Sequence, residues 1–149
     1  MKLKIKKLSP DAKEPTYGTP NSACFDLYSI ESGWINPDSP GVFDTGLAVE
    51  IPEGHVMLVY SRSGHGFNND IRLGNSTGII DSDYRGPLKI KLTQDSNQNF
   101  EGNQSYRVEK GERIAQAMVI PIEQCAFEWV DELSDTERGT GGMQSTGKM

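Results

Sequence analysis

The sequence predicts an all-β domain. Its 149 residues include 16 glycines and 8 prolines, a content typical of a chain with many turns and short strands. Apolar and polar residues alternate cleanly over residues 87–93, where Leu88, Ile90 and Leu92 share one face. The chain shows no sustained helical period and no internal repeat. A single domain of this length can bury a hydrophobic core.

Strands in the first part of the chain are predicted from alternating side chains between turn residues. Residues 2–8 alternate lysines with Leu3 and Ile5, which predicts a half-buried strand whose lysines protect an edge. Residues 9–20 carry three prolines and a glycine and are predicted to form a loop. The strand of residues 21–29 follows, with its larger apolar side chains on one face.

Two more strands are predicted before the centre of the chain. Residues 43–51 alternate around Gly46, and a turn at residues 52–54 leads into an apolar inner strand over residues 55–60. Ser61-Arg62-Ser63-Gly64 is predicted to end that strand. Its guanidinium, hydroxyl and accessible backbone fit phosphate oxygens, although so short a pattern also fits a plain turn.

Three ring-bearing side chains in this region receive structural predictions. Trp34 lies in a predicted loop and is expected to be packed. His55 is expected to be packed or to lie at a turn edge, because no serine or cysteine nucleophile pairs with it by motif. His65 lies among glycines and is expected to be exposed.

The centre of the chain is the stretch Gly74-Asn75-Ser76-Thr77-Gly78-Ile79-Ile80-Asp81-Ser82-Asp83-Tyr84-Arg85-Gly86. It is predicted to form a short hairpin with a strand over residues 77–80, in which Gly74, Asn75 and Gly78 accept the positive φ of tight turns. Asp81 stands beside many backbone donors and acceptors, with an aromatic ring three residues on. This pattern indicates either a nucleotide pocket or a polar turn.

The second half continues with short strands and ends in a polar arm. Residues 106–108 and 114–122 are predicted strands, and Gln116 is a lone amide that costs about 1–3 kcal/mol if it is buried unpaired. Residues 123–130 are predicted to form the last strand. From residue 138 the chain is rich in glycine, threonine and serine, which predicts a flexible arm with phosphate donors or a frayed tail.

Charge and cysteine content exclude several functional classes. The formal net charge is −6 and the pI is about 4.9, which argues against non-specific nucleic-acid binding but not against a small phosphate ligand. Cys24 and Cys125 lack the spacing of a metal site, and the sequence shows no signal peptide and no run long enough to span a membrane. A cytoplasmic protein with free thiols is expected.

Five stretches, in this order, resemble the trimeric dUTPase family. The stretch around Asp81 carries the strongest resemblance, because Gly-Ile-Ile-Asp-Ser-Asp-Tyr-Arg-Gly matches the family almost word for word. The stretches are residues 23–29, 62–64, 74–86, 111–116 and 138–147. The resemblance implies an all-β, jelly-roll-like distorted barrel, a homotrimer, and Mg²⁺-dependent hydrolysis of dUTP to dUMP and pyrophosphate. It also implies a body of residues 1–137 and a flexible lid arm of residues 138–149, with the arm reaching a site shared by three subunits.

The resemblance further implies a role for each site residue. Asp81 would activate the water that attacks the α-phosphorus, and Asp26 would meet Mg²⁺ through water. Tyr84 would lie against the deoxyribose and leave no room for a 2′-hydroxyl. The residues that would hold the phosphates are Arg62, Ser63, Gly64 and Gln116. Those that would bind the uracil edge are Asn75, Gly78, Ile79 and Ile80, beside Lys89. The lid would contribute Arg138, Gly142, Met143, Ser145 and Thr146.

The sequence departs from the family pattern at four positions. Met143 and Gln144 stand where phenylalanine and glycine are usual, so uracil stacking in the closed lid is expected to differ. Cys24 replaces a usual glycine, and Ser61 replaces a common proline. The chemistry is expected to survive, because these changes leave the implied catalytic carboxylate in place.

Two other functions share this fold. A dUTP-sensing regulatory or binding protein is compatible with a weakened lid. A dCTP deaminase is less favoured, because it needs a glutamate-centred site in place of Asp81. The released product separates the three functions: pyrophosphate for the dUTPase, ammonia for the deaminase, and nothing for a pure binder.

Overall fold

The computed structural model describes residues 1–95 and 105–142. Within these residues the chain forms twelve short strands and one helix, so the predicted all-β class is confirmed. The strands are β1 (Lys4–Lys7), β2 (Thr16–Tyr17), β3 (Phe25–Tyr28), β4 (Gly33–Ile35), β5 (Gly41–Asp44), β6 (Leu47–Glu50), β7 (His55–Tyr60), β8 (Ile71–Leu73), β9 (Gly78–Ile80), β10 (Lys89–Gln94), β11 (Tyr106–Val108) and β12 (Arg113–Pro121). The helix α1 (Ser63–Asn69) lies between β7 and β8.

The strands pair antiparallel in four sheets. The largest sheet has the order β2-β3-β12-β7-β9, and the smaller sheets are β5-β10-β8, β11-β4 and β1-β6. Most paired strands are distant in sequence, which is the crossed connectivity of a jelly-roll-like barrel. This connectivity places the ends of β3, β7 and β12 side by side.

The core follows the alternation that the sequence predicts. Leu88, Ile90 and Leu92 are buried on one face of β10, while Phe25 and Leu27 are buried on β3. These two strands therefore bury one face and leave the other face to carry polar side chains. The predicted inner strand β7 is confirmed, because it pairs with β12 on one side and with β9 on the other.

The helix was not predicted. The strand before residues 61–64 ends at Tyr60, but a helix follows it and not a plain turn. The helix α1 begins at Ser63, and Arg62 is its N-cap residue with extended backbone. The helical sequence SGHGFNN contains two glycines and two asparagines, which are poor helix formers, so no periodic pattern marks it. The expectation that His65 is exposed is wrong, because its side chain is only 7% exposed.

The predicted hairpin is also wrong in its pairing. β8 pairs with β10, whereas β9 pairs with β7. Residues 74–77 therefore connect strands of two different sheets and do not form the turn of a β-hairpin. The positive φ of this connection falls on Ser76, at 62°, and not on the glycines. Gly78 is needed for close approach, because a Cβ there would lie 3.1 Å from the Cβ of Val59.

Several apolar side chains expected to pack are exposed in the single chain. Residues 123–130 form no strand, and Phe127 and Trp129 are 94% and 99% exposed. Trp34 is 62% exposed and contacts the Arg107 guanidinium at 5.9 Å from its ring centroid. β1 is exposed along its length and not half-buried. Among the described residues, no helix has the length and apolarity to cross a membrane.

Candidate active site

A cluster of charged side chains surrounds Asp26 on β3. Arg62 donates from Nε to Asp26 Oδ1 at 3.1 Å, and Arg113 donates from Nη1 to Oδ2 at 3.4 Å. Arg62 also donates from Nη1 to the backbone carbonyl of Arg113 at 3.2 Å. The Asp26 side chain is 14% exposed, so the two guanidinium groups compensate a largely buried carboxylate.

Gln116 lies at the centre of this cluster. Its position on β12 is opposite Asp26 on β3 and opposite Tyr60 on β7. The amide Nε2 donates to the Ser61 carbonyl at 2.8 Å, so the lone amide that the sequence singled out has a partner. Asp26, Arg62, Ser63 and Gln116 line one cleft of about 320 Å³, which also includes Cys24.

This cleft has the chemistry of a polyphosphate site. The Arg62 guanidinium and the exposed Ser63 hydroxyl line the cleft, and the Arg113 guanidinium bonds to the same Asp26 carboxylate. Gly64 follows Ser63, and nothing lies within 4 Å of a Cβ added to it. Guanidinium forks and accessible backbone N–H groups are good partners for phosphate oxygens. The structure therefore brings the predicted phosphate-binding residues Arg62, Ser63 and Gln116 to one cleft with Asp26, while Gly64 follows Ser63 in the chain.

The second group of predicted residues lies around β9. Asn75, the backbone of β9 and Lys89 line a cavity of about 100 Å³ beside buried leucine and isoleucine side chains. β9 is the edge strand of its sheet, and in the described residues it pairs only with β7. Its outer N–H and C=O groups are therefore free to read the polar edge of a planar base.

Asp81 and Tyr84 lie directly beyond β9. Together with Lys89 they line an open cleft of about 490 Å³, into which the exposed Asp81 carboxylate can project. The Tyr84 hydroxyl donates to the Pro87 carbonyl at 3.1 Å, and the Tyr84 N–H donates to the Asp81 carbonyl at 3.2 Å. A Cβ on Gly86 would overlap the Tyr84 ring, so the glycine permits this ring position.

Asp81 and Arg62 follow opposite ends of the paired strands β7 and β9. The register pairs Ile80 with Met57 and Gly78 with Val59, so Asp81 follows the end of β9 that is level with the start of β7. Arg62 follows the other end of β7, five residues beyond Met57, which corresponds to about 17 Å of strand. A single chain therefore does not bring Asp81 to Arg62.

The described arm residues Arg138 and Gly141 hydrogen-bond to each other. Arg138 donates from Nε to the Gly141 carbonyl at 3.0 Å, and Gly141 donates its N–H back to the Arg138 carbonyl at 3.0 Å. Arg138 and Gly142 are exposed. Met143, Gln144, Ser145 and Thr146 lie outside the described residues.

The structure adds one residue that the sequence prediction missed. Arg113 begins β12 opposite Tyr28, and its guanidinium joins the cluster at Asp26. Arg113 lies three residues before Gln116 in Gly-Glu-Arg-Ile-Ala-Gln, and this position was the available signal. The sequence alone did not show that β12 pairs with β3, which is what brings Arg113 to Asp26.

The residues present fit a magnesium ion only if the substrate supplies most of its ligands. Among the described residues no three histidine, cysteine or carboxylate side chains cluster as a metal site. Asp26 is a single carboxylate, already bonded to two guanidinium groups. Mg²⁺ keeps several waters and is commonly held by one or two carboxylates with substrate phosphates, a mode that this site can accommodate.

Comparison with known proteins gives one consistent family. The family model described as dUTPase matches residues 11–147. The deoxyuridine 5′-triphosphate nucleotidohydrolase of Nautilia profundicola is 49% identical over 148 residues, covering 99% of this chain and all of the relative. The enzyme of the same name from Helicobacter hepaticus is 42% identical, covering 99% of this chain and 89% of the relative.

Solved structures agree with this assignment. The Staphylococcus bacteriophage 80alpha dUTPase with dUpNHpp superimposes with a TM-score of 0.88 at 34% identity, covering 99% of both chains. A mutant dUTPase from phage phi11 of S. aureus, described with a structural Mg(II) ion, has a TM-score of 0.78 at 27% identity and covers 89% of this chain and 98% of its own. The chain belongs to the dUTPase family.

Proposed function

We propose that this protein hydrolyses dUTP to dUMP and pyrophosphate at sites assembled from more than one copy of the chain. The observation that carries the proposal is that Asp81 follows the end of β9 level with Met57, whereas Arg62 follows the other end of β7, about 17 Å of strand away. Neither half of the site can hold a whole nucleoside triphosphate in line for attack. A homotrimer that places the Arg62 cleft of one subunit against the Asp81 cleft of the next supplies a complete site.

The Arg62 cleft would hold the phosphates. Arg62, Arg113 and the Ser63 hydroxyl supply donors, while the Gly64 backbone allows close approach. Gln116 uses one amide hydrogen on Ser61 and keeps its other hydrogen for the substrate. These donors suit the β- and γ-phosphates, which carry most of the substrate charge.

The β9 half-site would select the nucleoside. The outer backbone groups of β9, with Asn75, match the donor and acceptor pattern of a uracil edge. The Tyr84 ring, fixed by its hydrogen bond to Pro87 and its contact with Gly86, would cover the deoxyribose and exclude a 2′-hydroxyl. Lys89 lines both clefts of this half-site.

Asp81 would act as the general base. Its carboxylate accepts a hydrogen bond from a water molecule and takes a proton as the water oxygen bonds to the α-phosphorus. The bond between the α-phosphorus and the bridging oxygen breaks, and pyrophosphate leaves with that oxygen. When bound to the triphosphate, Mg²⁺ would neutralise the charge of the phosphate oxygens, and Asp26 would hold its waters.

The exposed C-terminal segment supports the trimer. Residues 122–133 carry large apolar side chains that nothing in the described part of the chain covers, among them Phe127, Trp129 and Leu133. A soluble monomer rarely presents so many in one segment, so a neighbouring copy is the expected cover. Beyond this segment, the arm from Arg138 would close over the nucleotide with Gly142, Met143, Ser145 and Thr146.

The compartment is proposed from the thiols. Cys24 and Cys125 are both free, and Cys24 lines the phosphate cleft beside Asp26. Burial, followed by the nearby Asp26 charge, raises the pKa of the Cys24 thiol, which lowers its thiolate fraction. Free thiols are retained most readily in a reducing compartment, so we place the protein in the cytoplasm.

A panel of nucleoside triphosphates tests the proposed reaction. The purified protein is assayed for pyrophosphate with dUTP, dTTP, dCTP and UTP, with and without Mg²⁺. We expect Mg²⁺-dependent pyrophosphate from dUTP alone. Ammonia from dCTP would indicate the deaminase instead, and tight dUTP binding without any product would indicate a pure binder.

A second role in regulation is compatible with the same site. For phage 80alpha, a relative of high structural similarity, phage dUTPases are described as controlling transfer of virulence genes by a G protein-like mechanism. A chain that binds dUTP and changes its arm on binding could signal in this way. The Asp81→Asn variant would retain that signal, because it binds the nucleotide without consuming it.

A further inference from the structure

A partly buried hydrogen-bond cluster joins α1 to the start of β12. His65 in α1 contacts Glu112 through Nε2 and Oε1 at 2.9 Å, and the Tyr106 hydroxyl donates to the same oxygen at 2.6 Å. The His65 and Tyr106 rings meet edge to face, with centroids 5.5 Å apart. The second oxygen of Glu112 accepts the Glu109 N–H at 2.8 Å, so both carboxylate oxygens are engaged.

The electrostatics keep this cluster fixed in one arrangement. Burial raises the pKa of Glu112, but the hydrogen bonds from Tyr106, Glu109 and His65 outweigh burial and hold the pKa below its ordinary value of 4.5. Glu112 is therefore ionised at neutral pH and can only accept hydrogen bonds, so His65 carries its hydrogen on Nε2. Nδ1 of His65 is buried and lacks a hydrogen-bond partner in the described part of the chain.

The cluster joins the two segments that carry the phosphate-binding groups. His65 lies in the first turn of α1, whose Gly66 N–H donates to the Arg62 carbonyl at 3.1 Å. Glu112 immediately precedes Arg113, whose carbonyl accepts the Arg62 guanidinium at 3.2 Å. A seven-residue helix with two glycines is too short to be stable alone, so these tertiary bonds hold its start in place.

We infer that His65, Glu112 and Tyr106 are positioning residues that hold Arg62, Ser63 and Gly64 in place for the terminal phosphates of the substrate. The inference rests on the proposed function. None of the three side chains lines the cleft, so they act through the α1 start and the β12 start. Their loss would let the first turn of α1 fray, which would weaken phosphate binding without changing the half-site that reads uracil and deoxyribose.

The His65→Leu variant tests this inference, because leucine fills a similar volume without a hydrogen bond. Binding of dUpNHpp and of dUMP to the full-length protein is measured by calorimetry with Mg²⁺. We expect the Kd of dUpNHpp to rise about tenfold and that of dUMP to change by less than about twofold, because dUMP lacks the β- and γ-phosphates. In turnover, the KM for dUTP should rise more than kcat falls.

Two further variants and one control make the test decisive. Tyr106→Phe removes one hydrogen bond, and Glu112→Gln removes the charge and replaces one acceptor oxygen with an amide donor. Both variants should show the same selective loss, so they test the inference if His65→Leu does not fold. His55→Leu alters the chain's other histidine, whose Nδ1 lies 3.0 Å from the Glu53 carbonyl oxygen, and should change neither affinity. Equal loss for both ligands, or no loss in any of the three variants, would overturn the inference. Failure of the wild-type chain to hydrolyse dUTP would instead overturn the proposed function.

Discussion

Arg62 and Asp81 follow opposite ends of the same structural unit, the paired strands β7 and β9. The pairing of Ile80 with Met57 sets their separation at about 17 Å of strand. Arg62 is held there by Asp26 and by the carbonyl of Arg113, so rotamer changes alone do not bring it across. The proposed function therefore requires Arg62 of one copy of the chain to face Asp81 of another.

The first prediction concerns the catalytic carboxylate. Asp81→Asn keeps the size and polarity of the side chain but removes its ability to take a proton. We expect kcat for dUTP to fall by about 100- to 10,000-fold with little change in affinity for dUpNHpp. Pyrophosphate release and calorimetry measure the two quantities separately. An equal loss of binding and turnover would show that Asp81 is a structural residue of the turn.

The second prediction concerns sugar discrimination. Tyr84→Ala removes the ring that the Pro87 hydrogen bond and the Gly86 contact hold in place. We expect UTP to become a competing substrate, with the preference for dUTP reduced by about tenfold or more. Tyr84→Phe is the matched control, because it keeps the ring and loses only the hydroxyl, and it should retain the preference. If Tyr84→Ala discriminates as well as the wild type, another group reads the sugar.

The third prediction concerns the arm. A chain ending at Glu137 keeps the apolar segment of residues 122–133 but loses the proposed lid. We expect kcat/KM for dUTP to fall by about tenfold or more, while light scattering still reports a trimer. A shorter chain ending at Pro121 serves as the contrast and should fail to form the trimer. Full activity of the chain ending at Glu137 would show that the arm has no role in turnover.

The fourth prediction concerns alkaline pH. Burial, followed by the hydrogen bond to Glu112 and its charge, raises the pKa of Tyr106 from its ordinary 10.0 to about 12. A raised pKa means that its contribution to stability is complete below pH 10 and is lost as the pH rises through about 12. The free energy of unfolding should therefore fall more steeply over this range in the wild type than in Tyr106→Phe.

Absorbance provides the direct check of that prediction. The chain has five tyrosines, so a spectroscopic titration of tyrosinate should show one late step that Tyr106→Phe removes. A titration in which the wild type and the variant differ only in an early step would contradict the assignment.

Local sequence predicted the elements that depend on local physics. The alternation of Leu88, Ile90 and Leu92 predicted β10, and the apolar run after residue 55 predicted β7, because a half-buried or inner strand leaves a pattern in the chain itself. The resemblance to the dUTPase family selected Asp26, Arg62, Ser63 and Gln116, and the structure brings these four to one cleft.

Features that depend on distant partners could not be predicted in the same way. The helix α1 has no helical pattern, since its stability comes from tertiary contacts such as that of His65 with Glu112, 47 residues away. The hairpin prediction was wrong because β8 and β9, which are adjacent in sequence, pair with strands of different sheets. Trp129 was expected in a strand, but residues 123–130 form none and its side chain is exposed, because no other described segment packs against it.

Subunit complementation tests the central claim most directly. Arg62→Ala and Asp81→Asn are each expected to be nearly inactive, and the two variants are unfolded together in equal amounts and refolded into mixed trimers. If each site takes Asp81 from one chain and Arg62 from another, about a quarter of the sites regain both residues, and pyrophosphate release from dUTP returns. If mixed trimers form and the mixture stays as inactive as its components, both residues act within one chain and the account is contradicted.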